Sequence, residues 1–183
     1  MLFFPLLSLL FLVSQDGLGA NPIEFSIHYL GGWGLKLLLI TLLISPLRIL
    51  LNWNWLSRNR RLFGLFSFFY ISLHIIFYVG IDQFFNWHDI LDDVFKRMYI
   101  TVGLIAFLLL IPLALTSTKK MIKKIGGKIW IRIHKGIYIA AVLACLHFFM
   151  MRKGVQFEPL FYAGLFSLLF LFRIYFYIRR KNQ

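Results

Sequence analysis

Three histidines fall inside long apolar stretches of this chain: His74, His134 and His147. A polar group at bilayer depth is costly unless it has a partner or a task, so these positions carry chemical information. Neutral imidazole is a common metal ligand, and two imidazoles from separate helices can hold a haem iron from opposite faces. The same side chain can serve a proton relay or an interhelical hydrogen bond. Depth bears on the choice. With a rise of about 1.5 Å per residue, His74 lies about 18 Å from Leu62 and His147 about 27 Å from Ile129. Both rings therefore belong to the same half of the membrane. Their segments run in the same direction, so the rings can meet as a bis-imidazole site. His28 and His88 lie in outer loops by this reading and are expected to be solvated.

His134 precedes His147 by thirteen residues. On a straight helix that is about 20 Å along the axis and a turn of about 140° between the rings. One haem column through both rings needs local unwinding or tilt. Thirteen and fourteen residues before His74 stand Arg61 and Arg60, so an inner bis-histidine haem lacks its obvious partner. His134 is expected as a secondary contact, to a haem propionate, a quinone or a flavin. Arg60 and Arg61 read as inner-surface anchors that can also meet an anionic cofactor group or a quinone carbonyl. The single cysteine, Cys145, lies in an apolar run. Disulfides and CxxC chemistry within the chain are thereby excluded, and Cys145 reads as a small core residue.

Long apolar elements must carry these side chains. Sixty per cent of residues are hydrophobic and 15% charged, and mean hydropathy is +0.78. A soluble domain is about half apolar and about one quarter charged, so the excess calls for lipid. Crossing a bilayer takes about 20 mostly apolar residues, a length met by Trp33–Leu51, Leu62–Gly80, Met98–Leu115, Ile129–Met150 and Pro159–Ile178. Leu2–Val13 is apolar but short. Without a charged leading region or a clear cleavage site before Asp16, it reads as a short or tilted span rather than a cleaved signal peptide. The expected fold is an all-α polytopic membrane bundle in one domain over 1–183. Its six spans are placed near 2–13, 33–51, 62–80, 98–115, 129–150 and 159–178.

The net charge of +13 reflects orientation rather than nucleic-acid binding. With the N-terminus inside, fifteen basic residues lie on inner segments, including Arg48, Arg60, Arg61, Lys135, Arg173 and the Lys119–Lys128 run. Five lie outside: Lys36, Lys96, Arg97, Arg152 and Lys153. That asymmetry is the positive-inside signal and puts both termini in the cytoplasm. All seven acidic residues then fall on the outer side. Trp53, Trp55 and Trp130 mark the inner boundary and Trp33 the outer one, where indoles favour the headgroup layer. The aromatic and acidic stretch Phe84–Phe95 is expected to lie flat at the outer interface or to receive a partner.

Ordered fragments along the chain carry a resemblance. They are GLGANP at 17–22, GGWGLKLLLITLLISPLR at 31–48, RNRRLFGL at 58–65, LALTSTKKM at 113–121, WIRIHKGIY at 130–138, His147, and LFYAGL at 160–165. Together they resemble the ferric reductase-like transmembrane family. Within it, they are similar to the haem-binding membrane subunits of periplasmic methionine sulfoxide reductase systems. The resemblance implies that His74 and His147 match haem-ligand positions and that His134 matches the further histidine of the fifth span. It also implies haem b, FMN and electrons from membrane quinol. The implied partner is a periplasmic, molybdopterin-containing methionine sulfoxide reductase subunit, with the chain in a bacterial inner membrane. Family members carry a second histidine on the third span, and Arg60 and Arg61 stand here instead. A ferric or cupric reductase-type cytochrome b subunit and a histidine-relay proton channel or transporter are the alternatives. The chain shows no NAD- or FAD-binding domain, so a self-contained metal reductase is not expected.

Overall fold

The computed structural model describes residues 2–151 and 157–181, and its 30-residue helix begins at a side-chain cap. Asn21 accepts from the Glu24 backbone N–H at 3.2 Å, and its amide donates to the Glu24 carboxylate at 2.9 Å. With Pro22 at the first helical position, this reciprocal cap starts α2, Pro22–Leu51. The helix stops at Asn52, whose φ of 55° is the left-handed conformation that asparagine tolerates. Starting at Pro22 puts His28 on the second turn of α2, partly buried, rather than in an outer loop. The cap extends the helix beyond its apolar stretch, a feature that hydropathy does not register. His88 is exposed and lies on the helix Trp87–Lys96 rather than in a loop.

Before α2 comes α1, Phe4–Ser14. Its 11 residues reach about 16 Å, roughly half of a hydrocarbon core about 30 Å thick. It is tied to the bundle by Tyr70 Oη, which donates to the Leu2 carbonyl at 2.8 Å, and by the Ser8–Tyr29 hydroxyl pair at 2.6 Å. Next is α3, Leu56–Ile76, which continues as a π-helical turn over Phe77–Asp82. The next connection holds α4, Trp87–Lys96, followed by α5, Met98–Leu115. Thr118 accepts from Met121 N–H at the start of α6, Lys119–Ile125. The fifth predicted span is built from two helices, α7 (Gly127–His134) and α8 (Gly136–Met151), interrupted at Lys135. The last element is α9, Phe157–Lys181. Arg152 and Lys153, expected on the outer side, lie outside the described residues.

No strand occurs among the described residues. Among the described residues, five helical segments are long and apolar enough to cross a membrane: Pro22–Leu51, Leu56–Asp82, Met98–Leu115, Gly127–Met151 and Phe157–Arg179. Their outward faces remain apolar, with Leu108, Leu168 and Leu171 all more than half exposed. Such surfaces suit lipid, and helices satisfy their own backbone there. The chain is an all-α, multi-pass membrane bundle.

Two antiparallel couples dominate the packing, α2 with α3 and α5 with α8. Small residues permit the first: Ser67 Oγ donates to the Gly34 carbonyl at 2.8 Å, and a Cβ on Gly34 would stand 2.5 Å from Ile71 Cγ1. The couples meet through α3 and α5, where Phe68 and Phe107 stack with centroids 5.6 Å apart. Leu38, Leu42, Leu110, Ala140 and Phe166 form the shared core, which brings in α9. Pro46 lies inside α2 and has no N–H to give the Leu42 carbonyl one turn earlier. Arg173 of α9 donates to that carbonyl at 2.9 Å and also to Tyr138 Oη on α8. A break in one helix is thus satisfied by a side chain of another.

Candidate functional site

Two of the three histidines come together. His74 on α3 and His147 on α8 have ring centroids 6.2 Å apart and planes crossing at 80°. Each ring is held from behind by a neighbouring backbone. His74 Nδ1 lies 2.8 Å from the Ile27 carbonyl of α2, and His147 Nδ1 lies 2.7 Å from the Tyr99 carbonyl of α5. A carbonyl can only accept, so both Nδ1 atoms carry the proton and Nε2 keeps its lone pair. Metal-binding histidines characteristically donate their second N–H in this way, which fixes tautomer and ring orientation.

The spacing also fits a shared metal. Two imidazoles bound through Nε2 on opposite sides of one ion, with metal–nitrogen bonds of about 2 Å, stand with centroids roughly 6 Å apart. The donor set is two neutral nitrogens without carboxylate or thiolate. No group of three or more histidine, cysteine or acidic residues suited to a metal ion occurs among the described residues. Two axial nitrogens suit an iron whose other ligands arrive with a macrocycle. The residues present therefore fit a haem.

One turn beyond His74, Tyr78 Oη donates to Asp93 of α4 at 2.9 Å, and Asp93 also pairs with Arg97 Nε at 3.0 Å. These contacts fasten α4 to the π-helical turn that follows α3 and to Arg97 at the start of α5. On its exposed face Lys96 and Asp92 pair at 2.5 Å, the lysine holding the Asp92 carboxyl below its usual range.

His134 is separate from this pair. It lies at the other end of the bundle, in a cavity of about 610 Å³ that Arg48, Arg60, Arg61, Lys135 and Arg173 also line. The structure thus brings Arg60 and Arg61 to the same cavity as His134. Trp130 packs on the His134 ring with centroids 4.1 Å apart. Among the described residues, three buried side-chain atoms have no hydrogen-bond partner: Ser57 Oγ, His134 Nδ1 and Arg173 Nε. All three residues line this cavity, and no carboxylate does. Such a wall suits an acceptor-rich, anionic ligand, because unpaired buried donors cost about 1–3 kcal/mol each.

Sequence reasoning missed Ser57, Tyr138 and the role of Arg173, which reads as one more inner cation. A signal was present in Pro46, since a proline deep in an apolar helix requires another donor nearby. It also missed the glycines behind the histidines. Lys135 interrupts the fifth predicted span one residue after His134.

The model of a family described as ferric reductase like transmembrane component matches residues 30–145. The chain is 50% identical over 166 residues to the protein-methionine-sulfoxide reductase heme-binding subunit MsrQ of Rhodospirillum rubrum, covering 91% of this chain and 80% of that protein. It is 46% identical to the MsrQ of Herminiimonas arsenicoxydans, over 92% of this chain and 78% of that one. The magnetosome protein MamZ of Magnetospirillum gryphiswaldense is 42% identical over 88% of this chain but only 25% of its own length.

Proposed function

The chain belongs to the ferric reductase like transmembrane family and to its MsrQ group, and we propose that it is the haem-holding electron-transfer subunit of a methionine sulfoxide reductase system. The observation that carries this reading is the His74–His147 pair, with both Nδ1 atoms committed to backbone carbonyls. In this reading both histidines are axial ligands of a haem b, which supplies one-electron chemistry. The fixed protonation of Nδ1 favours ligation over a proton relay, because a relay needs a ring that exchanges protons at both nitrogens.

The remaining parts of the reading follow from position. The pair lies near the outer end, beside the acidic helix α4, which suits delivery of electrons to a periplasmic, molybdopterin-containing catalytic subunit. The inner cavity, with His134, Arg60 and Arg61, is the proposed contact site for membrane quinol or for FMN. Cationic donors there stabilise negative charge on a bound carbonyl or phosphate. The membrane is the bacterial inner membrane, with the basic α6 on the cytoplasmic side.

The test is spectroscopic. Purified chain is expected to show a b-type absorption spectrum that His74→Ala and His147→Ala each abolish while helicity and monodispersity persist. Unchanged haem content in both variants sinks the ligand assignment.

A further inference from the structure

The same backbone device stands behind both histidines. The carbonyl that receives His74 belongs to Ile27, and four residues later comes Gly31; the carbonyl that receives His147 belongs to Tyr99, and four residues later comes Gly103. In an α-helix the carbonyl of residue i accepts from the N–H of residue i+4. Each carbonyl thus serves its glycine amide with one lone pair and an imidazole with the other. The Cα–Cβ bond of a helical residue tilts toward the N-terminus. A side chain at i+4 therefore projects toward the path by which the imidazole reaches the carbonyl of residue i.

Distances bear this out. A Cβ on Gly31 would stand 3.0 Å from His74 Nδ1, and one on Gly103 would stand 2.6 Å from His147 Nδ1. In both cases the nearest atoms are Nδ1, then Cε1, then Cγ of the histidine. Gly32, adjacent to Gly31 on α2, would meet nothing within 4 Å. The requirement therefore belongs to the two glycines that face an imidazole.

Resting on the haem reading above, we infer that Gly31 and Gly103 are positioning residues for the two axial ligands. Their missing side chains open the Ile27 and Tyr99 carbonyls to the histidine Nδ1–H groups. That hydrogen bond strengthens imidazole as a donor, favours the ferric state and fixes the plane of each ring. A methyl group at Gly103 displaces the imidazole from its carbonyl, and one at Gly31 shifts the ring by a few tenths of an ångström. The ligand is then weaker and its plane free to turn, so the midpoint potential rises. The effect is larger at Gly103, where the approach is closer.

Three variants of the full chain decide the matter: Gly31→Ala, Gly103→Ala and, as a control of equal helix propensity, Gly32→Ala. Haem content, reductive potentiometry and low-temperature electron paramagnetic resonance are read on each. Gly32→Ala should match the wild type in all three. Gly31→Ala should keep its haem with a raised midpoint and shifted low-spin g-values, and Gly103→Ala should shift further or lose haem. Haem-loaded Gly31→Ala and Gly103→Ala proteins with unchanged midpoint and g-values overturn the inference. So does a Gly32→Ala protein that shifts as they do, since the cause is then general helix perturbation. Wild-type protein without haem, or with haem indifferent to both histidines, instead overturns the function on which the inference rests.

Discussion

Removing Arg173 should destabilise the bundle by an amount that depends on Pro46. In the native chain Arg173→Met deletes the donor to the Leu42 carbonyl and the donor to Tyr138 Oη. Hydrogen bonds from charged donors contribute about 1.5–3 kcal/mol, whereas side-chain bonds between membrane helices average about 0.6 kcal/mol. The expected cost is thus about 2–4 kcal/mol. Part of it exists only because Pro46 leaves Leu42 without its helical donor. Pro46→Ala restores an N–H one turn below that carbonyl, so the orphaned-acceptor part, about 1–2 kcal/mol, should vanish. Like-charge repulsion among the cavity cations changes equally in both backgrounds and cancels. The assay is a double-mutant cycle on Pro46→Ala and Arg173→Met, followed by unfolding in mixed micelles at fixed detergent fraction. Coupling of about 1–2 kcal/mol stands clear of the roughly 0.5 kcal/mol by which independent sites depart from additivity. Strict additivity refutes the proposal that Arg173 substitutes for the amide that proline lacks.

Two further outcomes are expected. Arg60→Ala and His134→Ala should leave the absorption spectrum of the outer site intact while weakening reduction by quinol about tenfold to a hundredfold, the equilibrium worth of one or two charge-assisted donors; stopped-flow reduction of purified protein measures this, and unchanged rates in both remove the inner cavity from electron delivery. Phe107→Ala takes away the stack on Phe68 that joins the two helix couples and should lower haem affinity several-fold without touching either histidine; pyridine haemochromogen titration after partial haem extraction checks it, with unaltered affinity as the contrary result.

How much of this was legible in the sequence varied with the kind of interaction. Apolar runs revealed the five long helices because lipid selects side chains for their bulk polarity. The short reach of α1 was readable from the same signal. Helix starts were less visible: the Asn21–Pro22–Glu24 cap extends α2 through His28, where hydropathy alone suggests a loop. His74 and His147 could be paired by counting helical rise, since depth is proportional to residue number along a straight segment. The π-helical turn after Ile76 and the step at Lys135 leave no such trace, because they depend on which carbonyl an amide selects. The glycine cradles are hidden for a related reason. Their active atoms are the carbonyl oxygens of Ile27 and Tyr99, which every residue type supplies. Only the pairs Gly31–His74 and Gly103–His147, separated by 43 and 44 residues, hint that one arrangement occurs twice.

That recurrence bears on how the bundle is organised. Each histidine is anchored inside its own couple, His74 to α2 and His147 to α5, yet the rings meet across the junction between the couples. A group held by both Nε2 atoms would therefore clamp the two halves together, while each half keeps its ligand oriented without it. Preorganised ligands of this kind lower the ordering cost of binding. The opposite end of the bundle is built otherwise. Arginines from α2, α3 and α9 converge there with three unpaired buried polar atoms and no carboxylate, so no acidic side chain of the cavity wall balances their charge. Under the proposed function, the outer site is neutral and geometrically fixed, suited to holding one cofactor permanently. The inner site is cationic and incompletely bonded, suited to a ligand that brings negative charge with it.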